Sequence, residues 1–239
     1  MSEEPATGHG ANNPAIEALF GERTDLARVY AGHLASTAVE RGLVGPREVP
    51  RLWERHILNC AVVGELIPQQ ACVADIGSGA GLPGLAVALA RPDLSVILVE
   101  PLQRRVQWLT EVIEDLHLDH VAVVRGRAEE LAGEVSVDIA MARAVAGLAE
   151  LATWCLPLVR PGGHFLALKG RTAADELRSS ERALRQAGAA GWELLRAGGS
   201  LLEEPTTVVR IRAGDRGGRE RGGREREQRR RRTGKRGRG

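Results

Sequence analysis

The sequence predicts an α/β fold: a mostly parallel sheet, with a helical cap in front of it and a basic tail behind. Three observations point there. The first is the stretch VADIGSGAGLPG at residues 73–84. It begins apolar, like a buried parallel strand, reaches the acidic Asp75, and breaks into Gly77, Gly79, Gly81 and Gly84 before the helix-favouring LAVALA. Strand, tight glycine turn and helix together leave bare backbone that a ligand can approach closely. The second is a change of period at Ala71. Short apolar runs at 72–74, 96–99, 121–124, 137–141 and 164–168 alternate with helical stretches at 85–91, 104–116, 148–158 and 175–186, the pattern of right-handed βαβ crossovers. The third is a break in composition at Ala213. From there the chain holds 12 Lys and Arg against 4 Asp and Glu, whereas the part before it holds 21 against 27.

In order along the chain, residues 1–13 are polar and acidic and are expected to be disordered. Asn13 and Pro14 suit the start of a helix, as cap and first-turn proline, with Ile16, Leu19 and Phe20 on its apolar side. Thr24 is the expected cap of a longer helix over 25–40, with Leu26, Val29, Tyr30, His33 and Leu34 at helical spacing. Pro46 and Pro50 bracket a connector. Residues 51–67 read as one more helix, closed by Pro68. Residues 14–68 are thus a helical cap, 69–212 a sheet domain and 213–239 a tail. Within the domain, 192–212 give two β-like runs joined by a short loop, read as a hairpin that completes the sheet. The tail has no apolar residues to bury and is expected to be disordered.

Composition bounds the function classes. Hydrophobic residues make up 43% of the 239, enough for a sizeable core; aromatics are only 3%, so Leu, Val, Ile and Ala must build it. Cys60, Cys72 and Cys155 have no metal-ligand spacing and form no even disulfide framework, which fits a reduced, cytoplasmic setting and no metal. The N-terminus does not resemble a signal peptide, and no apolar run reaches the length of a membrane span, so no membrane partner is expected.

The glycine turn carries the chemistry. GAGLPG alone fits the dinucleotide fingerprint and is weak evidence. The fuller string D-x-G-x-G-x-G, with Asp75 two places before Gly77, resembles the first motif of class I S-adenosylmethionine (SAM) methyltransferases. Glu100 closes the next apolar run, where a carboxylate can take two ribose hydroxyls. Residues 125–130, residues 137–144 and the Pro161-Gly162-Gly163 turn stand where that superfamily places its adenine loop, its acceptor-side strand and a recurrent turn; they favour SAM over a nicotinamide. The acceptor is narrowed by what the chain lacks. It has no Asn/Asp-Pro-Pro-aromatic turn for an exocyclic amine. Its cysteines read as buried thiols rather than as the nucleophile that a pyrimidine carbon requires. A ring nitrogen with its own lone pair, such as guanine N7, needs neither base nor covalent nucleophile.

The strings LWERHILNC (52–60), DIGSGAGLPG (75–84), EPLQRRVQWL (100–109), RAEEL (127–131), ARAVAGL (142–148) and LALKG (166–170) resemble the RsmG, formerly GidB, family of bacterial small-subunit rRNA guanine-N7 methyltransferases, over about residues 14–210. The resemblance implies a Rossmann-like class I methyltransferase sheet, SAM as cofactor without a metal, and small-subunit (16S) rRNA, free or in a partly assembled particle, as partner. Its cofactor contacts map onto Gly77, Leu82, Glu100, Ala128, Glu129 and Arg143. Asp75, Ser78, Gly79 and Gly81 complete the motif. Glu100 stands where the family commonly has Asp. Arg143 is the candidate for positioning the acceptor. Lys169 and Arg171, at a strand end, are candidates for an RNA phosphate, as are Arg104 and Arg105 at a helix start. Trp53 and His56, three apart, are read as sharing one helix face near the pocket. The Arg-Gly-rich tail suits non-specific RNA contact. The rival readings are a non-catalytic RNA-binding assembly factor that keeps SAM as a structural ligand, and a nicotinamide-dependent dehydrogenase.

Overall fold

The computed structural model describes residues 13–143 and 146–215. The sequence predicts disorder over residues 1–13 and 213–239; Asn13 instead caps the first helix and Ala213 is the buried last residue of the final strand, while residues 1–12 and 216–239, with the RNA contacts expected of the tail, fall outside the described residues.

The cap is helical, though less regular than the sequence predicts. α1 (Pro14–Phe20) starts on Asn13, whose side chain accepts the Ala15 N–H at 2.9 Å; such a cap contributes about 1 kcal/mol. The single helix expected over 25–40 is two. Thr24 is not its cap but the first residue of α2 (Thr24–Ala35), and its hydroxyl donates back to the Gly21 carbonyl at 2.8 Å. α2 stops at Ser36, whose hydroxyl donates to the Gly32 carbonyl at 2.7 Å, and α3 (Thr37–Glu40) follows. A serine bonding back one turn competes with the ladder it sits in. Ala27, Tyr30, Ala31 and Leu34 form the buried face of α2; Val29, expected there, is 45% exposed. Residues 51–67 are likewise not one α-helix. After a 3₁₀ segment (Pro46–Arg51) the chain winds as a π-helix (Leu52–Ile57), then as α4 (Leu58–Ala61) and as 3₁₀ (Val62–Leu66). The buried pairs Leu52-Trp53 and Ile57-Leu58 recur every five residues, a spacing that matches i→i+5 winding.

The sheet follows the predicted alternation. β1 (Cys72–Ile76), α5 (Gly84–Ala90), β2 (Ser95–Glu100), α6 (Gln103–Asp115), β3 (Val121–Arg125), β4 (Val137–Arg143), α7 (Leu148–Cys155), β5 (Val159–Lys169), α8 (Ala173–Gln186), β6 (Ala189–Ala197) and β7 (Thr206–Ala213) succeed one another. The seven strands order as β3-β2-β1-β4-β5-β7-β6, parallel except for β7, which inserts antiparallel between β5 and β6. The expected hairpin is therefore present. β5 is longer than predicted, because residues 160–163 loop out opposite Asp138 and the strand resumes at His164.

Alternation along each strand divides the core in two. Val73, Val96, Leu98, Ile139, Met141, Leu166 and Val208 face the cap helices, α5 and α6. Ala74, Ile76, Val99, Ala140, Phe165, Ala167 and Val209 face α7 and α8. Strand order reverses at β1: β2 lies on one side and β4 on the other. In parallel α/β sheets the carboxyl ends at such a reversal form the ligand crevice. No helix among the described residues is long and apolar enough to cross a membrane.

Candidate active site at the carboxyl ends of β1, β2 and β4

The glycine turn leaves β1 directly. The Gly77 and Ser78 N–H groups donate to the Val99 carbonyl at 2.9 and 3.1 Å, which ties the turn to the end of β2. Gly77 and Gly79 have φ of +73° and +57°, a region that disfavours any other residue. A Cβ on Gly79 would meet nothing nearer than the Gly77 carbonyl at 3.8 Å, so this backbone borders open space. Gly84 is the opposite case: a Cβ there would lie 2.4 Å from Leu98 and 2.7 Å from the Asp75 carboxylate. Its role is close packing of α5 on the sheet. Gly81 is crowded too, against Leu85, while Leu82 is half-buried on the core. Ser78 is buried and donates its hydroxyl to the Asp75 carbonyl at 3.0 Å.

Two acidic side chains shape this turn from beneath. Asp75 is fully buried and accepts the Gly84 N–H at 3.0 Å through Oδ2, while Oδ1 has no protein partner. Burial pushes its carboxyl up to about 7, against the Gly84 N–H and Arg143, with Glu100 adding to the rise. Glu100 is 1% exposed and accepts the Gly79 N–H and the Leu102 N–H, each at 3.0 Å. It thereby joins the turn to the start of α6. Arg105 lies 3.6 Å from it. That ion pair gives Arg105, expected to contact RNA, a partner within the chain, and it explains a cation at a helix start, where the dipole opposes it. Each oxygen of a carboxylate has two lone pairs, so Glu100 retains acceptor capacity for a ribose. The open backbone at Gly79, that carboxylate and the orphaned Asp75 oxygen fit an adenosyl cofactor. Across the turn, buried Ala128 and exposed Glu129 follow β3 in a tight bend closed by Glu130, which accepts the Arg127 N–H.

Arg143 ends β4 on the cap side of the sheet. Its Nη1 donates to the Cys60 thiol at 3.0 Å and its Nη2 donates to His56 Nδ1 at 2.5 Å. His56 Nε2 in turn meets Glu48 Oε2 at 2.8 Å. Burial lowers the His56 pKa against the pull of Glu48; the hydrogen bond from His56 lowers that of Glu48. Burial raises the Cys60 thiol, opposed by Arg143. Trp53 does not join His56. It goes into the core, edge-on to Phe20 at 6.5 Å between ring centroids, because the wider π winding brings residues three apart out of alignment. Tyr30, the single tyrosine in the chain, donates its hydroxyl to the Ala80 carbonyl at 2.7 Å and so ties α2 to the glycine turn.

The two strand-end cations differ. Lys169 is turned inward, its side chain 10% exposed, donating to Glu176 at 2.8 Å and to the Ala146 carbonyl at 3.1 Å. Glu176 also accepts the Leu148 N–H at 2.6 Å. Lys169, expected at an RNA phosphate, is engaged within the chain as a brace on the segment after β4. Arg171 is 89% exposed, 3.4 Å from an equally exposed Glu204. Sequence reasoning missed Glu48 entirely and took Tyr30 only as a core residue; the one available signal was a lone tyrosine hydroxyl on a buried face, which must find a partner. Among the described residues, no group of three or more His, Cys, Asp or Glu could hold a metal ion.

Solved structures with this fold include a predicted O-methyltransferase from Agrobacterium tumefaciens (TM-score 0.51, 19% identity, 66% of this chain and 81% of that one). A methyltransferase from Pyrococcus furiosus is similar (TM-score 0.51, 14% identity, 64% of this chain and 80% of that one). At such identities the likeness concerns the fold alone. Sequence relatives are nearer. The ribosomal RNA small subunit methyltransferase G of Renibacterium salmoninarum is 57% identical over 201 residues, 84% of this chain and 94% of its own length. That of Streptomyces avermitilis is 54% identical over 198 residues, 82% of this chain and 83% of its own. Residues 23–196 match the family model GidB, described as rRNA small subunit methyltransferase G. The chain belongs to the GidB family of rRNA small subunit methyltransferases.

Proposed function

We propose that this protein transfers the methyl group of SAM to N7 of a guanine in small-subunit (16S) rRNA, and that it does so in the cytoplasm, on free rRNA or on a partly assembled subunit. SAM supplies the reactive methyl on a sulfonium. The chain's own residues bind and align. The backbone at Gly77 and Gly79, the Leu82 side chain and the spare lone pairs of Glu100 hold the adenosyl portion, with Asp75, Ser78 and Gly81 shaping the turn and Ala128 and Glu129 beside the adenine. Arg143 presents its planar fork to the guanine or to an adjoining phosphate. Arg171 contacts the RNA backbone.

The observation that carries the reading is the kind of group set beside the glycine turn. Arg143 is a donor and cannot accept a proton at neutral pH. The thiol in contact with Arg143, Cys60, is buried and held protonated, a poor nucleophile. Asp75 is fully buried beneath the turn, and both ring nitrogens of His56 are taken up by Arg143 and Glu48, so neither is presented to an acceptor as a base. Such a site suits an acceptor that brings its own lone pair and needs mainly alignment. Arg143→Ala should lower methyl transfer from labelled SAM to small-subunit rRNA by about a hundredfold or more. Near-normal turnover would remove Arg143 from the site. Mass mapping of rRNA from cells with and without the protein should show loss of one 7-methylguanosine; loss of any other methylated nucleoside would overturn the N7 assignment.

A further inference from the structure

We infer that Glu48 and His56 form a positioning relay for Arg143, with His56 working as a neutral imidazole whose tautomer Glu48 selects. The inference rests on the reading of Arg143 as the acceptor-positioning residue.

A long arginine side chain at a strand end has many rotamers, and a fork aimed at a substrate is useful only if it is held. Arg143 is held twice on one side, by Cys60 Sγ at 3.0 Å and by His56 Nδ1 at 2.5 Å. A guanidinium has donors only, so Nδ1 must accept. The imidazole proton then sits on Nε2, which faces Glu48 Oε2 at 2.8 Å, an acceptor. Only this tautomer satisfies both contacts, and the carboxylate enforces it, as a second group commonly fixes the working nitrogen of a histidine.

The relay predicts its own failure in acid. The charged groups around His56 are Glu48 from the 3₁₀ segment, Arg55 on its own element and Arg143 from β4; Cys60 and Asp75 lie around Arg143. A protonated His56 would point an N–H at the guanidinium, losing the acceptor and adding a like charge. Burial lowers the imidazole below its ordinary 6.5. The neutral arrangement is therefore complete above pH 6.5 and is lost as pH falls through the lower, folded value.

The test uses the full chain, labelled SAM and small-subunit rRNA, with kcat, the KM for rRNA and SAM affinity measured separately. His56→Phe should lower kcat about tenfold while SAM affinity stays within about twofold. His56→Asn places an amide oxygen where Nδ1 was. It should recover kcat to within about threefold of the parent and remove the acid limb of the pH profile. In an Arg143→Ala background, His56→Phe should cost nothing further; additive losses would overturn the relay. If His56→Phe does not fold, His56→Asn still decides: an acid limb identical to the parent's overturns the inference. Arg143→Ala with normal turnover defeats the underlying reading of Arg143, whereas an impaired Arg143→Ala beside a normal His56→Phe defeats the relay alone.

Discussion

The two faces of the sheet are built from the same strands and do different things. Toward α7 and α8 the strands present Ala74, Ile76, Ala140, Ala142, Phe165 and Ala167, and the helices answer with Leu148, Leu151, Ala152 and Leu184. Toward the cap the middle of the sheet is just as apolar, but the carboxyl ends bury Asp75 and set Arg143 against Cys60 and His56, while Tyr30 bonds to the glycine turn. Burying polar groups is costly unless each finds partners. The α7 and α8 side buries polar groups too, Ser180 and the Lys169 that meets Glu176, but the fully buried carboxylate lies under the capped face, at the end where strand order reverses and a ligand can use it. The face behind α7 and α8 then serves stability, and the capped face serves recognition.

The contrast is broken most sharply at Asp75. Its folded carboxyl is raised from 3.8 to about 7, chiefly by burial. A raised acid stabilises the fold fully below pH 3.8 and loses that contribution as pH rises through about 7. Asp75→Asn keeps an acceptor for the Gly84 N–H and never ionises. In cofactor-free protein it should become more stable than the parent above pH 7, by on the order of 4 kcal/mol from the size of the shift. Urea unfolding of both proteins at pH 5 and pH 8 measures this. Equal stability at both values would mean that the carboxylate tolerates its burial and that the capped face is no more strained than the other.

On the opposite face, Leu151 is fully buried in α7. Leu151→Ala should cost about 3 kcal/mol in unfolding, as large-to-small changes in a tight core do. SAM affinity of the folded fraction should stay within about twofold, since Leu151 sits on α7 within the apolar core and is not among the residues that hold the glycine turn. A SAM affinity that falls with stability would erase the division of labour between the faces.

How much of this was legible depends on whether a residue's role is local. The turn at 77–84 could be read because positive φ at Gly77 and Gly79 and the crowding at Gly84 leave the sequence little choice. Asn13-Pro14 announced its helix for the same reason. Glu48 could not be read: it sits in a segment bracketed by prolines, and its meaning comes from His56 eight residues on and then from Arg143, 87 residues beyond that. The π winding at Leu52–Ile57 escaped because the string is equally helical in either form, and burial of Leu52-Trp53 and Ile57-Leu58 decided between them. Lys169 looked like a phosphate contact because sequence shows a cation at a strand end, whereas Glu176 meets it only once α8 has folded back.

Tyr30 offers the finest probe of the capped face, because it removes one bond and no charge. Its ring is buried on α2, and its hydroxyl reaches the Ala80 carbonyl in the glycine turn, 50 residues away, at 2.7 Å. Tyr30→Phe keeps the ring and leaves that carbonyl unpaired, at a cost of about 1 kcal/mol in unfolding. The same bond holds the turn at the depth from which Gly79 meets open space, so SAM affinity measured by calorimetry should fall about threefold to fivefold beside the small loss in stability. If stability falls and affinity does not, the cap merely covers the sheet, and the turn keeps its shape through Glu100 and the Val99 carbonyl alone.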